Sequence, residues 1–304
     1  MLRGQRGRLN SIYATCVDEE THARCVQVDD TMDRETPNFV PCPNSESKPR
    51  LRGRDLALVK DEVLLWPKGT ICYEFKNLLS STQASNLLQA VNTYVRDTEA
   101  VQFLHWSECT PGMGICNDCR IRVEITNDEP GCFAKVGYRE DMPRQFNLDS
   151  VTPQGRVDFR ILHELGHVLG LQHEHQHPDR AVVVVRPLAP GKEIQYWKEN
   201  GERKTKYDRL SIMHYDKKYL CVPKQQREGE KRFCDIDESP PEADCVIPER
   251  EKHCDPSKDD SFGGRQLSSL DILGLQHLYD GALPQPAQEI SANDFAAFMS
   301  LDMD

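Results

Sequence analysis

No stretch of this 304-residue chain is apolar enough to cross a bilayer. The longest purely aliphatic run is Ala181 to Val185, whereas a spanning helix needs roughly 20 apolar residues. Mean hydropathy is −0.64. A positive balance is missing too: Lys and Arg number 38 against 49 Asp and Glu, a formal net charge of −11. That sign argues against nucleic acid or an anionic membrane surface as a partner. The start, residues 1–16, has basic residues but no apolar leader region. There is also no Asn-x-Ser/Thr sequon. Cysteine, by contrast, is plentiful. Twelve of them, an even number, predict an oxidising compartment and a secreted, extracellular protein. The two signals together predict a start that is incomplete or processed.

The richest segment is HELGHVLGLQH, His163 to His173. On a helix, His163 and His167 are i, i+4 neighbours, so both imidazoles leave one face and can share one zinc ion. Glu164, one residue on, is placed to work on a water at that metal. Gly170 ends the helix, because glycine takes the left-handed conformation that turns the chain back. His173 then arrives as the third ligand and leaves a zinc position open for chemistry. Chance would produce this pattern on the order of once in 10⁵ chains of this length. A merely His-rich surface helix would not place Glu164 and Gly170 in register. Ser211-Ile212-Met213-His214-Tyr215 follows 38 residues after His173 (211 − 173). A methionine turn is what this longer motif expects downstream, and the soft thioether of Met213 suits it.

With these residues the chain resembles the astacin family of metzincin zinc endopeptidases. The likeness continues in HEHQHPDR, His173 to Arg180, and in Asp61 to Pro67. Gly131 to Gly137 and Leu267 to Tyr279 extend it, so it spans about residues 56–280 with an insertion after Tyr219. The resemblance implies an α+β, metzincin-like, two-lobed catalytic domain. A twisted mixed sheet, a zinc-binding helix and an active-site cleft between the lobes belong to that picture. It implies one zinc per chain on His163, His167 and His173, with Tyr215 as a movable further ligand that swings to the oxyanion. Glu164 is the general base, Gly170 and Met213 support the site, and Glu174 receives a newly freed N-terminus. The implied substrate is an extended polypeptide lying along an edge strand, for which Cys132 to Val136 is the candidate. Departures are also visible. His177 stands where the family has Arg, Ala181 where Asp often follows, and Ala100 and Asp280 where two cysteines belong. Cys132 has no cysteine between Asn147 and His163 to pair with, so the family's disulfide map does not carry over.

Along the chain, residues 1–54 read as a weakly structured pro-segment ending in Arg50, Arg52 and Arg54. A processing protease is expected near Arg54, and Cys42 offers a thiolate that could reach the zinc. Residues 55–281 are the catalytic domain. Within it, 220–261 form an acidic and basic insertion, which Cys221, Cys234, Cys245 and Cys254 are expected to staple. The last stretch, 282–304, reads as an acidic tail in which Phe295, Phe298 and Met299 offer one short apolar helix face. Alternation of Ile71, Tyr73 and Phe75 predicts a half-buried strand, as it does for Ile121, Val123 and Ile125. Capping boxes are predicted at Ser80/Gln83 and at Ser268/Asp271, with Gly281 stopping the second helix. The zinc helix is expected over about 157–169, with Leu162, Leu165 and Leu169 as its core stripe. Cys109, Cys116 and Cys119 are read as disulfide formers, since one CxxC is a weak sign of a second zinc. His175, His177 and His214 are read as packing around the ligands. Two other readings stay open: a catalytically silent zinc module that binds protein, and an aminopeptidase-type enzyme, against which His173 and Met213 speak.

Overall fold

Strand β4, Thr70–Phe75, is the centre around which one unit of the protein is built. The computed structural model describes residues 65–303 except 111, 115, 117–118, 139–144, 149–157, 190–191, 199–204, 259–261, 280–282 and 284–286. It also describes the backbone of three short strands before residue 42. These strands, β1 Tyr13–Cys16, β2 Arg24–Gln27 and β3 Asn38–Pro41, form an antiparallel sheet where little regular structure was expected. Their sequences are rich in Tyr, Thr, Val and Phe, which favour extended backbone. The basic cluster at Arg54, Cys42 and Gly281 lie outside the described residues. The described chain divides into two units: residues 65–172 joined by the part from Arg265, and His173–Gly264, with which β1, β2 and β3 are grouped.

In the first unit a five-stranded sheet has the order β5-β4-β6-β8-β7. Its other members are β5 Gln102–His105, β6 Val123–Thr126, β7 Cys132–Ala134 and β8 Gln145–Leu148. β5, β4, β6 and β8 run parallel, and β7 closes the sheet antiparallel to β8. Helix α1, Ser81–Thr98, makes the crossover from β4 to β5. It starts at the expected capping box: Gln83 N–H donates to Ser80 Oγ, and Ser80 N–H to Gln83 Oε1.

β4 is buried along its whole length, where alternation had predicted one wet face. Ile71, Tyr73 and Phe75 meet Leu87 and Val91 of α1 on one side. On the other, Cys72 is joined to Cys119 by a disulfide, which lays the 106–122 segment over that face. Closing that 47-residue separation is worth roughly 4 kcal/mol of chain entropy. Glu74 on the same face is held by Arg122 at 2.7 Å and by Lys76 at 2.5 Å. β6 starts at Val123, so Ile121 falls just outside it.

The C-terminal segment read as a tail carries a second cover for the sheet. Helix α5, Ala292–Leu301, sets Phe295 edge-on against Phe75 at 5.2 Å and stacks Phe298 on His105 at 4.6 Å. Tyr73 and Phe75 supply the surface that so short a helix needs. Just past its end, Asp302 accepts from the Phe75 N–H (2.7 Å), the Trp106 indole (2.6 Å) and His105 Nε2 (2.9 Å). The remaining helices here are α2, Phe159–Val168, and α4, Ser269–Leu278, the latter opened by the predicted Ser268/Asp271 capping box.

The second unit is small. β9, Val183–Val184, pairs antiparallel with β10, Leu220–Cys221. Val182, Val184, Tyr196, Tyr215, Leu220 and Ile236 make its apolar cluster. Disulfides Cys221–Cys254 and Cys234–Cys245 staple the insertion as expected. A one-turn helix, α3 Arg250–His253, precedes Cys254.

Asp302 gives this fold a testable acid dependence. Burial raises its pKa, but the bonds from His105, the Phe75 N–H and Trp106 outweigh that and hold it below the usual carboxylate value. A lowered folded pKa stabilises above the unfolded value, near 4, and that stability is lost as pH falls through the folded one. Asp302→Asn is expected to cost about 1.5–3 kcal/mol at pH 7. The gap to the parent protein should narrow below about pH 4, as read by urea unfolding. Equal stability at pH 7 would show that α5 is not clamped by this carboxylate.

Candidate active site

α2 forms because Asp158 caps it, accepting from the Arg160 N–H at 3.0 Å. Ile161, Leu162, Leu165 and Val168 then bury one face. The opposite face carries His163, Glu164 and His167, which are buried equally deeply. The rings of His163 and His167 lie 4.9 Å apart at 85°. Gly170 follows at φ 95°, the left-handed turn the motif calls for. In that turn Leu171 N–H donates to Gly166 O and the Leu171 carbonyl accepts from His167 Nδ1 at 2.7 Å. The bond fixes the His167 tautomer with Nε2 as the unprotonated nitrogen, the form a metal ligand requires.

The turn delivers His173. One ring nitrogen each from His163, His167 and His173 fall within 4.8 Å of one another. Three buried imidazoles converging from eleven residues of continuous chain are a donor set suited to zinc. The structure therefore fits the metal on its own geometry. Cys109, Cys116 and Cys119 also cluster, but Cys109 is bonded to Cys116 and Cys119 to Cys72. Disulfides, not a second metal, hold these sulfurs, as expected.

Within His173–Gly264 the methionine turn is tied directly to the third ligand. Glu174 N–H donates to Met213 O at 3.0 Å. Ser211 Oγ accepts from Met213 N–H at 3.0 Å. Two glycines that the sequence reading passed over pin this turn from behind: Gly263 N–H donates to Arg209 O and Gly264 N–H to Ser211 O. Gly263 has φ 67°, and a Cβ there would come 3.0 Å from the His214 carbonyl. The Glu174 carboxylate accepts from the Asp208 N–H at 2.6 Å. An incoming N-terminus for Glu174 lies outside the described residues.

Tyr215 is buried beside His173, ring to ring at 4.5 Å, and is stacked on His175 at 4.0 Å. His175 and His214 are neutral. Burial is the main cause in both, taking His175 well below the ordinary histidine pKa and His214 to about 4. His214 Nδ1–H donates to the Tyr215 carbonyl at 2.6 Å, and its Nε2 accepts from Tyr207 Oη at 2.7 Å. His177 Nδ1 accepts from the Asp179 N–H at 2.9 Å and closes a local turn.

The last carbonyls of α2 are buried and need donors. Trp66 Nε1 donates to Val168 O (2.8 Å), Tyr279 Oη to Leu169 O (2.9 Å), and the Gly137 N–H to His167 O (2.9 Å). Sequence reasoning named all three residues only as parts of motifs. Tyr279→Phe should leave the Leu169 carbonyl buried without this donor and cost about 1–3 kcal/mol. Chemical denaturation measures it, and an unchanged midpoint would remove Tyr279 from the support of α2.

The family model for Astacin, a peptidase family, matches residues 58–227. Tolloid-like protein 1 of Homo sapiens is 31% identical over 158 residues, 50% of this chain and 14% of that protein. Nematocyst expressed protein 6 of Nematostella vectensis is 32% identical over 164 residues, covering 50% of this chain and 51% of that protein. The chain thus spans between about a seventh and a half of these two relatives. Among solved structures, High choriolytic enzyme 1, a hatching enzyme zinc-protease from Oryzias latipes, aligns with 80% of this chain and 99% of its own. Its identity is 20% and the TM-score 0.44. On the family match, which takes in more than half of its length, the chain belongs to the astacin family of peptidases.

Proposed function

We propose that this protein is a zinc-dependent endopeptidase that hydrolyses internal peptide bonds in extended polypeptides. The observation that carries the reading is the buried Glu164 on the same helix face as His163 and His167, with His173 beside them. Bound by the three imidazoles, a zinc ion would bring the pKa of water down to about 7 and polarise a carbonyl oxygen. Glu164 takes the proton as water attacks the scissile carbon, then passes it to the departing amine. Tyr215, held against His173 and His175, donates a hydrogen bond to the oxygen as its charge develops. Gly170 and Met213 keep the third ligand in place. β7 ends the sheet, and an extended substrate is read along it by strand addition. Four disulfides among the described residues support a working life outside the cell; recovery of a fully reduced protein from its native source would count against that.

Glu164→Gln is expected to retain one equivalent of zinc while losing about 10²–10⁴ in kcat. Metal analysis beside a casein digest measures both. Internal fragments should appear with the parent protein and not with the variant. A parent rate in Glu164→Gln would end this mechanism, and a folded parent that takes up no zinc would end the metal assignment. Tyr215→Phe should lower kcat by about 10²–10³ and change KM far less. A pure KM effect would leave Tyr215 as a packing residue.

A further inference from the structure

We propose that Asp235, inside the cysteine-rich insertion, is a positioning residue for Tyr215 and acts through Arg180 and His175. The proposal rests on the reading of Tyr215 as the hydrogen-bond donor in peptide hydrolysis. All four residues belong to the same unit, His173–Gly264.

The Arg180 side chain is 1% exposed. Its guanidinium donates to the carbonyls of His175 (3.0 Å) and Tyr196, and to Asp235 Oδ1 at 3.4 Å. Those two carbonyls belong to the residues whose rings hold Tyr215. His175 stacks on it at 4.0 Å and 21°, and Tyr196 meets it edge-on at 5.9 Å. One rigid, planar cation therefore knots two chain segments around the Tyr215 ring. A buried guanidinium needs an opposing charge. Burial pulls the Arg180 pKa down, and Asp235 is the foremost influence pushing it back.

Asp235 is itself held firmly. Its neighbour Cys234 is bonded to Cys245, its N–H donates to Glu238 Oε2 at 3.0 Å, and Lys198 Nζ lies 3.3 Å from its second carboxylate oxygen. The next residue, Ile236, packs into the apolar cluster that contains Tyr196 and Tyr215. The insertion thus reaches Tyr215 by charge and by packing. With the carboxylate neutralised, Arg180 loses the partner that keeps it between the two carbonyls, and the Tyr215 ring loses its fixed aim. A donor to a developing charge loses effect when its aim wanders, while ground-state binding changes little.

The test uses the full chain with zinc bound and a quenched peptide substrate, in the parent and in a Tyr215→Phe background. Asp235→Asn should lower kcat about ten-fold with KM within about two-fold. In the Tyr215→Phe background it should cost less than about two-fold, since the two changes act on one event. Asp235→Glu, which keeps the charge, should retain at least about half of the parent kcat. Asp244→Asn, which removes an exposed partner of Lys231 in the same insertion, should have no effect. In metal-free protein labelled with ¹³C-tyrosine, Asp235→Asn should move the Tyr215 ring resonance, assigned by its absence in Tyr215→Phe. Should the amide prevent folding, Asp235→Ser is read in the same way. An unchanged kcat, an equal loss in both backgrounds or an unmoved Tyr215 resonance would overturn the proposal. A Tyr215→Phe variant with the parent kcat would remove Tyr215 from the chemistry, and with it the footing of the proposal.

Discussion

The last turn of α2 ends inside the protein, and its carbonyls must be satisfied there. A buried unsatisfied carbonyl costs about 1–3 kcal/mol, so two of them are a sizeable share of a domain's net stability. The chain answers with donors from far away in sequence: Trp66 before the first strand of the sheet, Gly137 after β7, and Tyr279 after α4. What looks in sequence like several unrelated motifs is one requirement met from several directions. The helix must stop within a turn of His167 so that Gly170 can send the chain to His173. Stopping there leaves the Val168 and Leu169 carbonyls to donors from Trp66 and Tyr279, while the His167 carbonyl has both Gly137 and the local Gly170 N–H.

The third ligand is governed by a second backbone link. Glu174 N–H on Met213 O ties the residue after His173 to the methionine turn. That turn is braced by Ser211 and by the Gly263 and Gly264 amides. The methionine matters here through its carbonyl as well as its side chain. Gly263 is the residue that lets two stretches of backbone meet, since a Cβ would press on the His214 carbonyl.

How much of this was legible follows from the range of each interaction. His163, His167 and His173 lie within a few turns of chain, so their spacing alone described the cluster they form. Both capping boxes are three-residue devices and were read correctly. β4 was misjudged because alternation reports only the residues of one face. Cys72 and Glu74 sit on the other face and are covered by a disulfide and by an arginine that no periodicity encodes. The segment from 282 on was taken for a tail because its charge is obvious and its partners are not. Phe295 and Phe298 become core only once Tyr73, Phe75 and His105 are placed beside them. Arg180 was noticed as part of a motif, but its work for two carbonyls depends on Tyr196, which lies in a separate segment.

Several of the buried charges are held by backbone groups. Asp158 accepts from the N–H at the start of α2, Asp271 from that of Ser268, Asp302 from that of Phe75, and Glu174 from that of Asp208. Arg180 serves two carbonyls. Each of these charges meets a backbone group at a chain end or turn, which is how a charge-assisted bond offsets desolvation. Glu164 is placed differently. It lies in the middle of α2, where amides and carbonyls bond along the helix. An apolar residue there would extend the core and lower the cost of burial. A buried glutamate one residue from His163 is where the proton transfer proposed above needs it.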